Sequence, residues 1–333
     1  MTEATLGYGL SVAALLLFTV AILTTKAASS RIPLSLGFLI ATVVNVVFSA
    51  IALAVQLAWQ TTSLQWNGTA LAFFAAAGAF STYLGRWFFY ESVVRFGPAK
   101  ASIFQVSSPL FTALIAWLVL GERIGPVVAL GMLMAVGGLM LVSTKPGFFA
   151  RRQIGAVHTD SAAHAGTPAA VPALPQPPGG HSAGLHARLL QSVFLLGLGS
   201  SLAYAIGNVL RGSAVRVWPE PVLGALVGAI CGLTLHLMFS PDRLGLVMRL
   251  RGVDRQGAWL YAVIGVATIS AQMCVISAMR YIPLSIVTLV TLCTPVLVFP
   301  LSYWLYQTRS DLTRNTVMGS ALTMLGVAII VLR

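Results

Sequence analysis

The feature that most constrains this chain is a series of hydrophobic runs, each about as long as a bilayer is thick. A transmembrane helix needs roughly 20 consecutive apolar residues, and runs of this length recur along the whole sequence. Only 8 % of the residues are charged, against about 25 % in a soluble domain, and most lie between the runs. The pattern excludes a soluble enzyme and predicts an all-α polytopic membrane protein. The ten predicted spans are 7–25, 34–55, 69–92, 100–119, 126–144, 189–209, 221–240, 257–278, 284–306 and 315–332.

One long interruption divides these spans into two groups of five. Residues 145–188 contain FFARRQ, then Ala, Gly and His, then five prolines between Pro168 and Pro178. This composition is typical of a flexible linker, so the predicted units are 1–144, the linker 145–188, and 189–333. The irregularly spaced histidines of the linker and the isolated cysteines of the spans predict neither a metal site nor a cofactor.

The two units repeat one another. Lys26 aligns with Arg211 at an offset of 185, and the same offset places RFGP (95–98) on RYIP (280–283). After one inserted residue, Pro109 aligns with Pro295. Five spans are an odd number, so the second unit must enter the membrane in the opposite orientation. We therefore predict two inverted five-helix repeats, an architecture common among secondary transporters.

The segment RFGPAKASIFQVSSPLFTALIAWLVLGERIGPVVALGMLMAVGGLMLV (95–142) resembles the drug/metabolite transporter (DMT) superfamily, in its ten-helix EamA-type branch. The second unit keeps RYIPLSIVTLVTLCTPVLVFPLSYWLY (280–306), but Gln307 and Thr308 replace the Gly-Glu of the first unit. The resemblance covers essentially the whole chain outside the linker. It implies transport of small solutes, often export of amino acids or related metabolites, through a cavity between the halves. The substrate varies within the family, so the resemblance does not name it.

Proline occurs near the middle of the fourth and ninth predicted spans. It cannot donate a hydrogen bond to the carbonyl four residues earlier, and irregular backbone in a bilayer is tolerated only where it is buried in protein or lines a cavity. We therefore expect these two helices to line the substrate path. Alternatively, the neighbouring Ser and Thr side chains only satisfy the kinked helix from within. The substrate-binding candidates here are Gln105, Ser108, Pro109, Thr291, Thr294 and Pro295.

Apart from Lys100, which begins the fourth span, two charges, Arg86 and Glu91, fall inside the predicted spans. A charge in a membrane costs on the order of 3 kcal/mol, so it suggests a function. Tyr83, Arg86 and Tyr90 are spaced to share one helix face, which could offer a guanidinium and two phenols to a carboxylate-bearing substrate. The alternative is that Arg86 extends to the membrane surface and Glu91 is interfacial.

Other polar residues inside spans are further candidates. Tyr204, Asn208 and Gln272 could donate or accept hydrogen bonds to a substrate, although such residues also hold helices together. The first span contains no acid, whereas the small multidrug members of the superfamily are expected to exchange protons for cationic drugs through a glutamate there. A neutral or zwitterionic solute therefore fits better, and proton coupling would depend on Glu91, His236 or the substrate itself.

The basic residues between the spans predict an orientation. If successive loops lie on alternate sides of the membrane, fourteen Lys and Arg residues fall on the side of the linker and five on the other side. Arg211 is counted among the five as a loop residue. The positive-inside rule then places the linker in the cytoplasm and both termini outside. The family resemblance implies cytoplasmic termini instead.

The leading hypothesis is a secondary transporter that exports a small polar metabolite, such as an amino acid, across the inner membrane by alternating access. One alternative is efflux of amphipathic drugs or lipid-linked sugars, and another is a receptor or scaffold without transport. No catalytic constellation or ATP-binding motif occurs in the sequence, so an enzyme is not predicted. The net charge of +12 is a loop-topology signal and does not indicate nucleic acid. The expected partners are a small-molecule substrate and the lipid bilayer, and a homodimer is compatible with the sequence.

Overall fold

The computed structural model describes residues 3–59, 66–108, 110–111, 114–115, 125–143, 193–240, 245, 250–306 and 314–331. The predicted linker and Pro109 lie outside these residues. All regular secondary structure in the described part of the chain is helical.

We number the helices α1 to α10 in chain order. Seven are continuous: α1 Glu3–Ser29, α2 Leu34–Trp59, α5 Pro126–Ser143, α6 Val193–Val217, α7 Pro221–Phe239, α8 Arg255–Ala278 and α10 Arg314–Val331. Three are composite. Helix α3 consists of Gly68–Ala77, a π-helical segment Gly78–Gly85 and Arg86–Phe96. Helix α4 begins with Pro98–Gln105, and α9 consists of Leu284–Leu292 and Thr294–Tyr306. A 3₁₀ turn, Leu250–Gly252, precedes α8.

Several of these helices are built to cross a bilayer. Among the described residues, α1, α2, α7, α8 and the Gly68–Arg95 part of α3 are long and apolar enough to span it. The outward face of α2 carries Val43, Val47, Ile51 and Val55, all at least 40 % exposed. Residues four apart share one face of a helix, so this apolar stripe is a lipid-facing surface. The chain is a multi-pass membrane protein.

Helix starts follow from local capping. Asn67 accepts a hydrogen bond from the N–H of Ala70 at 3.0 Å and begins α3. Asp254 accepts from the N–H of Gly257 at 2.9 Å and begins α8. Because that bond favours the ionised carboxylate, it lowers the pKa of Asp254 below its ordinary value. Capping of this kind satisfies the first backbone donors of a helix, which have no partner within it.

The helix contacts between the two halves of the chain are symmetric. Helix α1 packs on α8 and α3 packs on α6, while α2 contacts α8 and α7 contacts α3. The pairs α2–α7, α4–α9 and α5–α10 also touch. Exchanging α1–α5 with α6–α10 converts the α1–α8 contact into α3–α6 and the α2–α8 contact into α3–α7. The same exchange converts each of the other three pairs into itself.

Helices α5 and α10 meet through glycines. A Cβ atom at Gly138 would lie 2.5 Å from the carbonyl oxygen of Gly319, and one at Gly326 would lie 2.5 Å from that of Gly131. Since the later residue of one helix faces the earlier residue of the other, the pair runs antiparallel. Only glycine allows backbones to approach this closely.

The π-helical segment of α3 leaves backbone groups that other helices satisfy. The N–H of Arg86 bonds to the carbonyl of Ser81, five residues earlier, so the turn is wider than an α-helical one. The hydroxyl of Ser200 in α6 donates to the carbonyl of Gly85 at 3.0 Å. Gln105 of α4 donates to the same hydroxyl at 3.2 Å. The wide turn is therefore tied to both α4 and α6.

Helices α4 and α9 are interrupted just before their mid-span prolines. The N–H of Val106 bonds to Ile103 at 3.0 Å and that of Cys293 to Val290 at 3.1 Å, both three residues back instead of four. In α9 the hydroxyl of Thr294 donates to the carbonyl of Thr291, the group that Pro295 leaves without a donor. Hydroxyl side chains therefore do satisfy the broken backbone from within.

We expect Gly138→Ala to destabilise the protein. Its Cβ would collide with α10, and overpacking of this kind costs typically about 1–3 kcal/mol. Thermal unfolding in detergent measures the effect. Gly137→Ala is the matched control, because the nearest atom to its Cβ would be Leu322 Cδ2 at 4.0 Å. Equal melting temperatures for the two variants would contradict the close α5–α10 contact.

We expect Ser200→Ala to lower the melting temperature as well. The substitution leaves the buried Gly85 carbonyl without its hydroxyl donor, which costs about 1–3 kcal/mol. Ser213→Ala, at an exposed position of the same helix, should have little effect. If both variants melt like the unmodified protein, the bond between α6 and the π-helical segment contributes nothing.

Candidate functional site

A cavity of about 120 Å³ lies where α1, α3, α4, α6, α8 and α9 meet. Each half of the chain contributes three helices to its wall. The lining residues are Phe18, Ala21, Ile22, Ser81, Arg86, Phe89, Tyr90, Ser102, Gln105, Val106, Ser108, Tyr204, Asn208, Arg211, Thr268, Gln272, Val275, Thr288, Thr291, Thr294 and Pro295.

Most residues that the sequence singles out for substrate binding lie in this wall. They come from five helices and from both halves, and their role in binding stays a prediction. They are Arg86, Tyr90, Gln105, Ser108, Tyr204, Asn208, Gln272, Thr291, Thr294 and Pro295. Pro109 lies outside the described residues.

Tyr83 is separated from the cavity that Arg86 and Tyr90 line, and its role in binding stays a prediction. Its ring stacks on Phe239 of α7 with centroids 6.1 Å apart, and it does not line the cavity. The expected spacing assumed a regular α-helix. The π-helical segment ends at Gly85, between Tyr83 and Arg86, so these two residues are not at regular α-helical spacing. The rings of Tyr83 and Tyr90 nevertheless both contact Phe38.

Arg86 is buried in the wall, with 4 % of its surface exposed. Its Nη2 lies 3.3 Å from Oε1 of Gln272, and the hydroxyl of Tyr204 lies close to its guanidinium group. The side-chain amide of Asn45 forms the most hydrogen bonds when its nitrogen donates to the carbonyl of Gly265, at 2.6 Å. In that orientation its oxygen accepts from Arg86. Arg86 therefore does not extend to the membrane surface, and that alternative is wrong.

Arg211 is a second buried cation that the sequence analysis missed. The predicted span ends at residue 209, but α6 continues to Val217, so Arg211 lies inside the helix with 4 % of its surface exposed. Its guanidinium lies 3.4 Å from both Asn208 Oδ1 and Thr82 Oγ1. Its position seven residues after Tyr204 and three after Asn208 was an available signal, because that spacing places all three on one helix face.

The two arginines compete for one amide. Gln272 directs its oxygen to Arg86 in one orientation, and in the other the oxygen lies 3.1 Å from Nε of Arg211. An amide has one oxygen, so its NH₂ group must face a guanidinium in either orientation. Gln272 can therefore offer its oxygen to only one of the two guanidinium groups at a time.

The hydroxyls of Thr268 and Thr288 also line the cavity, and neither was predicted. Thr268 lies four residues before Gln272, and Thr288 lies three before Thr291. Because residues three or four apart share a helix face, the predicted candidates Gln272 and Thr291 could have pointed to these two threonines.

The two candidates for proton coupling lie away from the cavity. Glu91 accepts a hydrogen bond from Nε of Arg95 at 2.6 Å, at an exposed site on α3. His236 places Nε2 3.1 Å from the carbonyl of Ser35, and its ring packs against Phe38. Among the described lining residues there is no carboxylate or imidazole. The described residues also contain no cluster of His, Cys, Asp and Glu that could hold a metal ion.

Comparison with known proteins identifies the family. The model of the EamA-like transporter family matches residues 5–144 and 191–332, one match in each half. A solved structure titled only "Crystal structure of protein" has a similar fold, with a TM-score of 0.57 and 18 % identity over 98 % of this chain and 95 % of that one. The comparison with curated proteins gives no match. The chain belongs to the EamA-like transporter family of the drug/metabolite transporter superfamily.

Proposed function

We propose that this transporter is a secondary carrier that exports a small polar metabolite, such as an amino acid, across the inner membrane by alternating access. The observation that carries the proposal is the cavity between the two halves, with the buried Arg86 and other polar side chains in its wall. A guanidinium pairs with a carboxylate through two parallel hydrogen bonds. Tyr204 and Asn208 offer further hydrogen-bonding groups on the α6 side of the same wall.

The size of the cavity favours a metabolite over a drug. Its volume of about 120 Å³ is well below the roughly 300–1,000 Å³ typical of pockets for drug-sized ligands. Efflux of an amphipathic drug or a lipid-linked sugar would need a larger site. A receptor or scaffold without transport remains the alternative of another class, and measurement of solute flux separates it from a carrier.

We further propose that the chain crosses the membrane ten times as two inverted five-helix repeats. The antiparallel α5–α10 pair and the exchangeable helix contacts support this arrangement. In such carriers one repeat or bundle moves against the other around a central site. The count of basic residues supports a cytoplasmic linker with both termini outside.

Blocking the cavity should abolish transport. We expect Thr288→Trp to reduce solute flux at least tenfold, because the indole would fill space that the substrate needs. Flux is measured as uptake of labelled amino acids, organic anions and cationic dyes, tested in turn, into proteoliposomes containing the purified protein. Val296→Trp on the same helix is the control, since Val296 is 54 % exposed on the outer surface. Equal flux through both variants would refute the cavity as the substrate path.

Proton coupling can be tested at the two candidate residues. Because neither Glu91 nor His236 lines the cavity, we expect Glu91→Gln and His236→Gln to leave the initial flux within about twofold of the unmodified protein. Collapse of the pH gradient with a protonophore should likewise have little effect. A flux that depends on the gradient and loses that dependence in either variant would establish coupling through that residue.

A further inference from the structure

The cavity wall carries two positive charges and no described negative one. Arg86 and Arg211 are each 4 % exposed, and arginine does not lose its proton in proteins. The ion pairs formed by the described residues, Arg31 with Asp254 and Arg95 with Glu91, both involve exposed arginines away from the cavity. The buried cations are therefore held by neutral groups.

These neutral groups do not compensate the charge. Arg86 has Asn45, Tyr204 and Gln272 as neighbours, and Arg211 has Asn208, Thr82 and the same Gln272. Amide and hydroxyl oxygens accept hydrogen bonds, but they cannot neutralise a charge in a medium of low dielectric constant. Two like charges that face the same amide also repel each other. An anion placed between the two guanidinium groups would neutralise their charge and reduce the repulsion between them.

A third donor points to the same kind of ligand. The hydroxyl of Tyr90, which lines the cavity, is buried without a well-formed hydrogen bond among the described residues, although Thr268 is nearby. A buried polar group without a partner is uncommon and needs an explanation. An acceptor oxygen of a bound solute would provide one.

We propose that the transported solute is a small organic oxyanion with net negative charge, such as a dicarboxylate or a phosphate monoester, and that Arg86 and Arg211 bind it together. This rests on the proposed transport function and narrows its substrate class. A zwitterionic amino acid would neutralise one guanidinium but would place its ammonium group near the other. A dianion neutralises both arginines. Its oxygens also supply hydrogen-bond acceptors for the NH₂ group of Gln272 and the hydroxyl of Tyr90.

The test compares ligands of different charge on the full-length protein. Purified protein is titrated with succinate, glycerol 3-phosphate, alanine and tetraethylammonium, and binding is measured as a shift in melting temperature and by calorimetry. We expect at least one of the two anions to bind at least tenfold more tightly than alanine or tetraethylammonium. The two anions distinguish a carboxylate from a phosphate ligand. Equal or tighter binding of alanine or tetraethylammonium, or no binding of either anion, would overturn the inference.

Substitutions then assign the binding to the arginines. Arg86→Gln and Arg211→Gln should each weaken anion binding about tenfold to hundredfold, the usual value of a charged hydrogen bond. Arg86→Lys and Arg211→Lys keep the charge and should retain part of the affinity. Arg216→Gln, at an exposed position of α6, is the matched control. Unchanged affinity in both glutamine variants would contradict the proposal.

Flux measurements separate this inference from the proposed function. Proteoliposomes preloaded with unlabelled anion should take up the same labelled anion by counterflow, and the glutamine variants should not. If the anion binds but no solute crosses the bilayer, the transport function fails while the anion site stands. If alanine crosses by counterflow and the anions do not, the carrier function stands and the anion assignment fails.

Discussion

The burial of two guanidinium groups inside a membrane protein is the constraint on which the centre of this structure depends. Arginine keeps its charge at any physiological pH, so it cannot face lipid without a large cost. The surrounding helices must therefore present polar groups to Arg86 and Arg211 from several directions. Asn45, Tyr204 and Gln272 do so from α2, α6 and α8, and Tyr204 and Gln272 also line the cavity.

Irregular helices make that centre possible. A regular helix satisfies its own backbone, which leaves few polar groups for anything else. The π-helical segment of α3 and the interruptions of α4 and α9 free backbone groups near the cavity. Hydroxyl side chains such as Ser200 and Thr294 then satisfy them. The helix interruptions therefore depend on the neighbouring serines and threonines, whose hydroxyls satisfy the freed backbone groups.

Hydrophobic run length and repeat pattern predicted the helices well, because both are properties of local sequence. The proline positions correctly predicted where α4 and α9 are interrupted, since proline removes a specific hydrogen bond. The end of α6 was predicted too early because a hydropathy criterion stops at a charge, even when the helix continues through it. No residue pattern marked the π-helical segment that contains Tyr83, and Tyr83 does not line the cavity. The partners of Arg86 are far apart in the sequence, and only the folded chain brings them together.

The reciprocal glycine contacts of α5 and α10 resemble the isologous interface of a two-fold symmetric dimer, in which each patch meets its own equivalent. Here both patches belong to one chain. In a homodimer every substitution appears on both sides of the axis at once. In this chain the two sides can change independently, as Thr323 opposite Ala135 illustrates. A single polypeptide with this interface is therefore free to become asymmetric at its centre. Arg211 of the second half lines the cavity, whereas Lys26, its sequence counterpart in the first half, donates to the carbonyl of Val94.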